Sequence, residues 1–77
     1  MAKDVRRLVG ANVARLRKQI DITQAELADR MGVDRAYISG LEQGARNPTI
    51  VTLWHVAEAL GVKVAALLED QPKRRSS

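Results

Sequence analysis

The sequence predicts an all-α fold of five short helices, and three observations carry that expectation. Apolar residues recur at spacings of three and four along most of the chain. Residues that cap helices stand where several periodic runs begin, and glycines stand where they end. Nothing in the pattern suggests a strand. At 77 residues the chain makes one domain, set at residues 4–70 and followed by a basic tail, 71–77, expected to be disordered.

The first helix begins near Asp4 and should end around Lys18, with Leu8, Val9, Val13, Leu16 and Ile20 on one face. The second start is more complete. In ITQAEL, Thr23 can cap, Glu26 can reach back to the cap's amide, and Ile22 and Leu27 sit where a hydrophobic staple would join them. Leu27, Ala28 and Met31 face inward, and Gly32 suits a C-cap. The pattern restarts at once: Asp34 is placed as a cap, Val33 and Ile38 as a second staple, and the helix runs to about Gln43 before Gly44. Two short helices joined by so brief a turn must cross steeply, and small Ala28 lets them approach. Thr49 can cap a fourth helix with Ile50, Leu53, Val56, Ala57 and Leu60 inward, stopped by Gly61. A fifth, roughly 63–69, presents Val64, Leu67 and Leu68.

Composition narrows the function. One histidine, no cysteine, no glycine-rich phosphate loop and no cluster of carboxylates argue against an enzyme, a metal centre or a bound cofactor, and no small-molecule substrate is expected. The apolar runs are too short for a secretory signal or a membrane span, so a cytoplasmic protein is expected. Thirteen Lys and Arg against nine Asp and Glu give a net charge of +4. The pI is near 10.1, which favours a polyanionic partner. With Tyr37 and Trp54 the only aromatics, recognition by rows of stacked rings is improbable on inventory.

The third helix poses the functional question. It gives only Ile38 and Leu41 to a core, while Arg35, Ala36, Ser39, Gly40 and Gln43 fall on one outer arc of roughly 140°. A merely solvated face would carry Glu and Lys. Small residues beside an arginine suit close approach to the major groove of double-stranded DNA, where short polar groups and arginine read base edges. A helix pair joined by a short turn is the arrangement in which the first helix crosses the DNA backbone and the second enters the groove. Thr23 and Gln24 would then aim free amides at a phosphate, and Arg46 and Asn47 would meet phosphate again.

The stretch TQAELADRMGVDRAYISGLEQGARNP resembles the helix-turn-helix domain of the lambda-repressor and Cro type, the xenobiotic-response-element family. The matching residues are Thr23, Gln24, Leu27, Ala28, Gly32, Val33, Ile38, Ser39, Glu42, Gly44 and Pro48, and the likeness extends over roughly residues 6–69. Within the family, DRAYISGLEQGARNPT looks most like the controller proteins of restriction–modification systems. The resemblance implies that Arg35, Ala36, Ser39 and Gly40 occupy base-facing positions, and that Thr23, Gln24, Tyr37, Gln43, Arg46 and Asn47 lie toward phosphate. It also implies that Arg17 and Glu42 form a structural pair tying the first helix to the third. Ala36 and Gly40 depart from relatives that carry larger side chains there, which leaves more of the readout to Arg35 and to DNA shape. Lys63 stands where relatives have a capping residue.

The function so implied is sequence-specific DNA binding by a transcriptional regulator, as a homodimer on an inverted repeat. Trp54, Val64 and Leu68 are the candidates for the dimer interface, although Trp54 also fits the edge of a core. His55 falls on the solvent side of its helix. Two readings compete: an antitoxin-like or targeting module acting mainly through a protein partner, and nonspecific coating of DNA.

Overall fold

The structure is a computed structural model that describes residues 4–70; the tail expected at 71–77 lies outside the described residues. The described residues form four α-helices, α1 (Val5–Gln19), α2 (Gln24–Met31), α3 (Arg35–Glu42) and α4 (Ile50–Leu60), and a closing 3-10 turn at Val64–Leu68. There is no strand among them.

Asp4 caps α1 by accepting from the Arg6 amide at 3.0 Å. Hydrogen bonding from the Arg6 side chain, then from its amide, holds the Asp4 carboxyl below its ordinary pKa, so the cap is anionic at neutral pH. The helix ends one residue later than its periodicity indicates, through Asp21 in the left-handed region at φ 60. The Ile22 amide bonds back to the Arg17 carbonyl at 3.2 Å. Ile20, expected on the buried face, is therefore in the turn and 43% exposed.

The capping box of α2 is complete: the Glu26 amide donates to Thr23 Oγ1 at 3.0 Å, and the Thr23 amide donates to Glu26 Oε1 at 2.7 Å. Ile22 packs on the core that buries Leu27. Gly32 at φ 70 closes the helix, with the Val33 amide reaching back to the Ala28 carbonyl, the 6→1 bond of a Schellman ending. Asp34 precedes α3 in extended geometry, but its carboxylate makes no capping bond; its backbone carbonyl takes the Tyr37 amide instead. Val33 stays exposed and does not form the second staple.

Thr49 caps α4 through the Thr52 amide at 3.0 Å. Leu53, Val56, Ala57 and Leu60 turn inward as expected, whereas Ile50 is 76% exposed. The first turn of α4 overhangs the core, so helical spacing alone misplaces this residue. The fifth helix is instead the 3-10 turn, and Lys63 before it supplies no side-chain cap. Its end is satisfied from elsewhere: buried Asn12 donates from Nδ2 to the carbonyls of Leu67 at 2.9 Å and Glu69 at 2.8 Å.

One aliphatic core joins all five elements: Val9, Val13 and Leu16; Leu27 and Ala28; Ile38 and Leu41; Val56, Ala57 and Leu60; and Leu67. Helix α3 packs against both α1 and α2. Contact with α1 is backbone-close, since a Cβ on Gly10 would run into the carbonyl oxygen of Leu41 and stand 2.7 Å from that of Glu42.

Candidate nucleic-acid interface

Burial of Ile38 and Leu41 fixes the roll of α3 about its axis. Arg35, Ala36 and Gln43 are then exposed, and Ser39 and Gly40 are half-buried on the same outer arc. Gln43 Nε2 donates to the Ser39 hydroxyl at 3.3 Å, one turn back along that arc.

Behind the arc stands a buried ion pair. Arg17 Nε and Nη2 donate to Glu42 Oε2 at 2.7 Å and Oε1 at 3.1 Å, and Arg17 Nη1 donates to the Ile22 carbonyl at 2.8 Å. The two side chains are only 10% and 8% exposed. Hydrogen bonding to Glu42 raises the Arg17 pKa above its ordinary value against the opposing effect of burial, so the guanidinium stays charged. The planar fork meeting a carboxylate in two bonds sets the angle between α1 and α3 as well as their spacing.

Gln24 extends this network to the surface. Its Nε2 donates to Glu42 Oε1 at 2.9 Å, and its Oε1 accepts from Arg35 Nη1 at 3.1 Å. The amide orientation follows from its neighbours, because the NH₂ must face the carboxylate and the carbonyl the guanidinium. Gln24 and Arg35, assigned to phosphate and base on sequence grounds, are thus held together. They share an open cleft of about 570 Å³ with Arg17, Lys18 and Thr23. The amides of Gln24 and Ala25, first in α2, have no partner earlier in the helix. The Thr23 amide is not available with them, because Glu26 takes it.

At the other edge of the arc, Arg46 folds back from the loop after α3. Its guanidinium carbon lies 5.3 Å from the centre of the Tyr37 ring, a cation–π geometry. Its side chain crosses Gly40, where a Cβ would come within 3.1 Å of Arg46 Nε and 3.3 Å of Cγ. Gly40 is therefore covered by Arg46. Asn47 is exposed in the same loop. Trp54, 58% exposed, and half-buried Val64 line one shallow apolar groove of about 220 Å³ with Ala57 and Val62. Leu68 is exposed but does not line it. His55 is exposed, with Nδ1 3.7 Å from Glu58.

Residue-by-residue reading of the sequence missed Gly10, Asn12 and the Gln24–Arg35 bond. The first two had a signal: a glycine inside a helix costs about 1 kcal/mol relative to alanine and asks for a packing reason. An asparagine within an apolar stripe likewise asks for buried partners. The third had none, since two polar residues on different helices give no sign in sequence of facing one another. Among the described residues no group of His, Asp and Glu is placed to hold a metal, and no helix is long and apolar enough to cross a membrane.

Residues 13–67 match the model of the family described as helix-turn-helix. The chain is 49% identical over 65 residues to the HTH-type transcriptional regulator y4dJ of Sinorhizobium fredii, covering 84% of each. It is 41% identical over 68 residues to antitoxin HigA1 of Mycobacterium tuberculosis, covering 88% of this chain but 45% of that protein. Among solved structures, the restriction–modification controller protein C.AhdI of Aeromonas hydrophila superposes with a TM-score of 0.77 at 32% identity, over 80% of this chain and 90% of that one. The controller protein C.Esp1396I, solved as a tetramer with its 35-base-pair operator, superposes with a TM-score of 0.76 at 30% identity, over 86% and 87%.

Proposed function

The chain belongs to the helix-turn-helix family and is a DNA-binding transcriptional regulator; we propose that it acts in the cytoplasm as a homodimer reading an inverted-repeat operator, in the manner of a restriction–modification controller protein. The observation that carries this reading is the chain of bonds from buried Arg17 through Glu42 and Gln24 to exposed Arg35. It presents one guanidinium, largely preorganised, at the edge of a small-residue face. Arg35 keeps N–H groups beyond the one given to Gln24, and those can meet guanine O6 and N7. The unpartnered amides opening α2, with Gln24, Tyr37, Arg46 and Asn47, supply backbone contacts that hold the helix in register.

Two copies related by a two-fold axis would place two α3 helices about one DNA turn, roughly 34 Å, apart. The groove between Trp54 and Val64 is the proposed seam. Regulation then follows from occupancy: the bound dimer blocks or recruits polymerase according to where the operator lies. Residues 4–70 serve as the DNA-binding domain.

The antitoxin-like reading has its own support in the exposed Ile50, Val51 and Trp54 along α4 and in the likeness to HigA1. Selection from a random duplex pool at about physiological salt, with Arg35→Ala and Trp54→Ala in parallel, separates the two. Enrichment of an inverted repeat by the parent, lost with Arg35→Ala and reduced to single arms with Trp54→Ala, supports the dimeric regulator. A folded protein that enriches nothing leaves the protein-partner module, or nonspecific coating if it still binds duplex in a salt-dependent way.

A further inference from the structure

The turn between α1 and α2 carries a residue that the fold alone does not account for. Asp21 stands at φ 60, in the left-handed region, and among the described residues it is the one non-glycine there. Glycine, asparagine and aspartate all suit such a position. Turn geometry therefore explains the class of residue at 21 but not the choice of its charged member. Nothing in the fold favours the charge. The Asp21 amide donates to the Lys18 carbonyl at 3.0 Å. Its exposed carboxylate makes no hydrogen bond or ion pair among the described residues. It also lies two residues beyond Gln19, the last of α1, where the helix dipole presents its negative end and disfavours an acid.

What the residue does line is the open cleft beside the start of α2, together with Lys18, Thr23, Gln24, Ala25 and Arg35. Arg17 in the same cleft is neutralised by Glu42. Lys18 and Arg35 are thus the cations left to draw a phosphate toward the amides that open α2. Lys18 is exposed, and its ammonium has no partner among the described residues. Asp21 is the one acid that lines the cleft, and its charge opposes theirs. A backbone conformation that few residues adopt, at the edge of a binding cleft, is the kind of feature that function retains.

We infer that Asp21 is an affinity-limiting residue of the DNA interface: its carboxylate repels the phosphate that the α2 amides, Lys18 and Arg35 draw into the cleft. This rests on the DNA-binding reading of that cleft. Phosphates carry no sequence information directly, so the repulsion lowers affinity for the operator and for other duplexes alike. The preference between them stays as Arg35 sets it. The operator then fills only at a higher protein concentration, and less of the protein is held elsewhere on DNA.

The test uses the full chain with Asp21→Asn, which removes the charge and still suits the left-handed turn. Asp21→Gly is a second form of the same change. Asp29→Asn, on α2 but outside the cleft, makes the equal change in net charge and serves as the control. Affinities are measured across a salt series for the duplex enriched by the parent and for a scrambled version of it, with thermal melts of every variant. Asp21→Asn and Asp21→Gly should each bind both duplexes about threefold to tenfold more tightly at low salt, with a salt slope steeper by up to about one. The gain should shrink as salt rises, and Asp29→Asn should stay within about twofold of the parent. Equal affinity of the parent and Asp21→Asn, or an equal gain with Asp29→Asn, would show that the carboxylate does not act on a phosphate in the cleft and would overturn the inference. A gain confined to the enriched duplex would overturn it too, because the charge would then act through base readout. A parent that binds every duplex equally overturns the operator reading alone, since the Asp21→Asn gain is still measurable on any duplex. A folded parent that binds no duplex overturns both.

Discussion

Gln24 accepts a hydrogen bond from Arg35 at 3.1 Å while donating to Glu42 at 2.9 Å, so the first residue of α2 fixes the first residue of α3. A net hydrogen bond contributes about 0.5–1.5 kcal/mol, and more where a charged group is involved. Gln24→Ala should therefore weaken specific DNA binding by about threefold to tenfold while the domain still folds. Gln24→Glu should be worse, because it sets a carboxylate against that of Glu42. Anisotropy titrations with a fixed duplex, alongside thermal melts, check both; equal affinity for all three proteins would mean Arg35 needs no tether.

The ion pair behind that tether makes a stability prediction. Arg17 and Glu42 are almost wholly buried, and removing one partner strands the other charge. Arg17→Ala and Glu42→Ala should each cost about 3–5 kcal/mol, a large part of a small domain's stability. The Arg17→Met/Glu42→Leu double variant should cost much less than the two single losses added together. The raised pKa of Arg17 sets the sign with pH: its contribution is present below the ordinary arginine range and lost only above it. Urea melts from neutrality to about pH 10 should accordingly show no loss traceable to this arginine.

Gly10 tests how closely α1 presses on α3. Helix propensity alone would make Gly10→Ala stabilising by about 1 kcal/mol. Backbone carbonyls of Leu41 and Glu42 occupy the space a methyl group would need, and they cannot rotate away as a flexible side chain could. Gly10→Ala should therefore destabilise by about 1–3 kcal/mol and weaken DNA binding by tilting α3. A melting temperature at or above the parent's would show that the two helices separate at little cost.

Asn12 should hold the closing 3-10 turn at Val64–Leu68. Asn12→Ala leaves the carbonyls of Leu67 and Glu69 without their buried donor, at a cost of about 1–3 kcal/mol. In hydrogen exchange the Ala66 amide, which bonds to the Lys63 carbonyl at 2.9 Å, should lose protection beyond the global loss. Uniform loss throughout the domain would mean the turn is held by Leu67 alone.

The helices and their order were legible because short-range signals agree with one another: the Thr23–Glu26 box, Gly32, Gly61 and the spacing of Leu27, Ile38 and Leu41 all have local causes. The errors lie where an unannounced backbone conformation or a distant residue decides. The end of α1 turns on Asp21 in a left-handed conformation that no glycine announces. The last segment is a 3-10 turn whose Leu67 carbonyl is taken by Asn12, 55 residues away. Of the candidate site, the residue types on the outer arc could be read from helical periodicity. That Arg46 covers Gly40, and that Gln24 steadies Arg35, depends on loop and interhelix geometry that periodicity does not encode.

The measurement closest to the central claim compares the parent and Arg35→Ala on two duplexes, the enriched site and a scrambled version of it, at about 0.15 M salt. The parent should prefer its site by about a thousandfold or more, and Arg35→Ala should lose about tenfold to a hundredfold of that preference while binding the scrambled duplex almost as before. Equal binding of both duplexes by the folded parent would contradict the account, and would move the outer face of α3 from reading bases to another role.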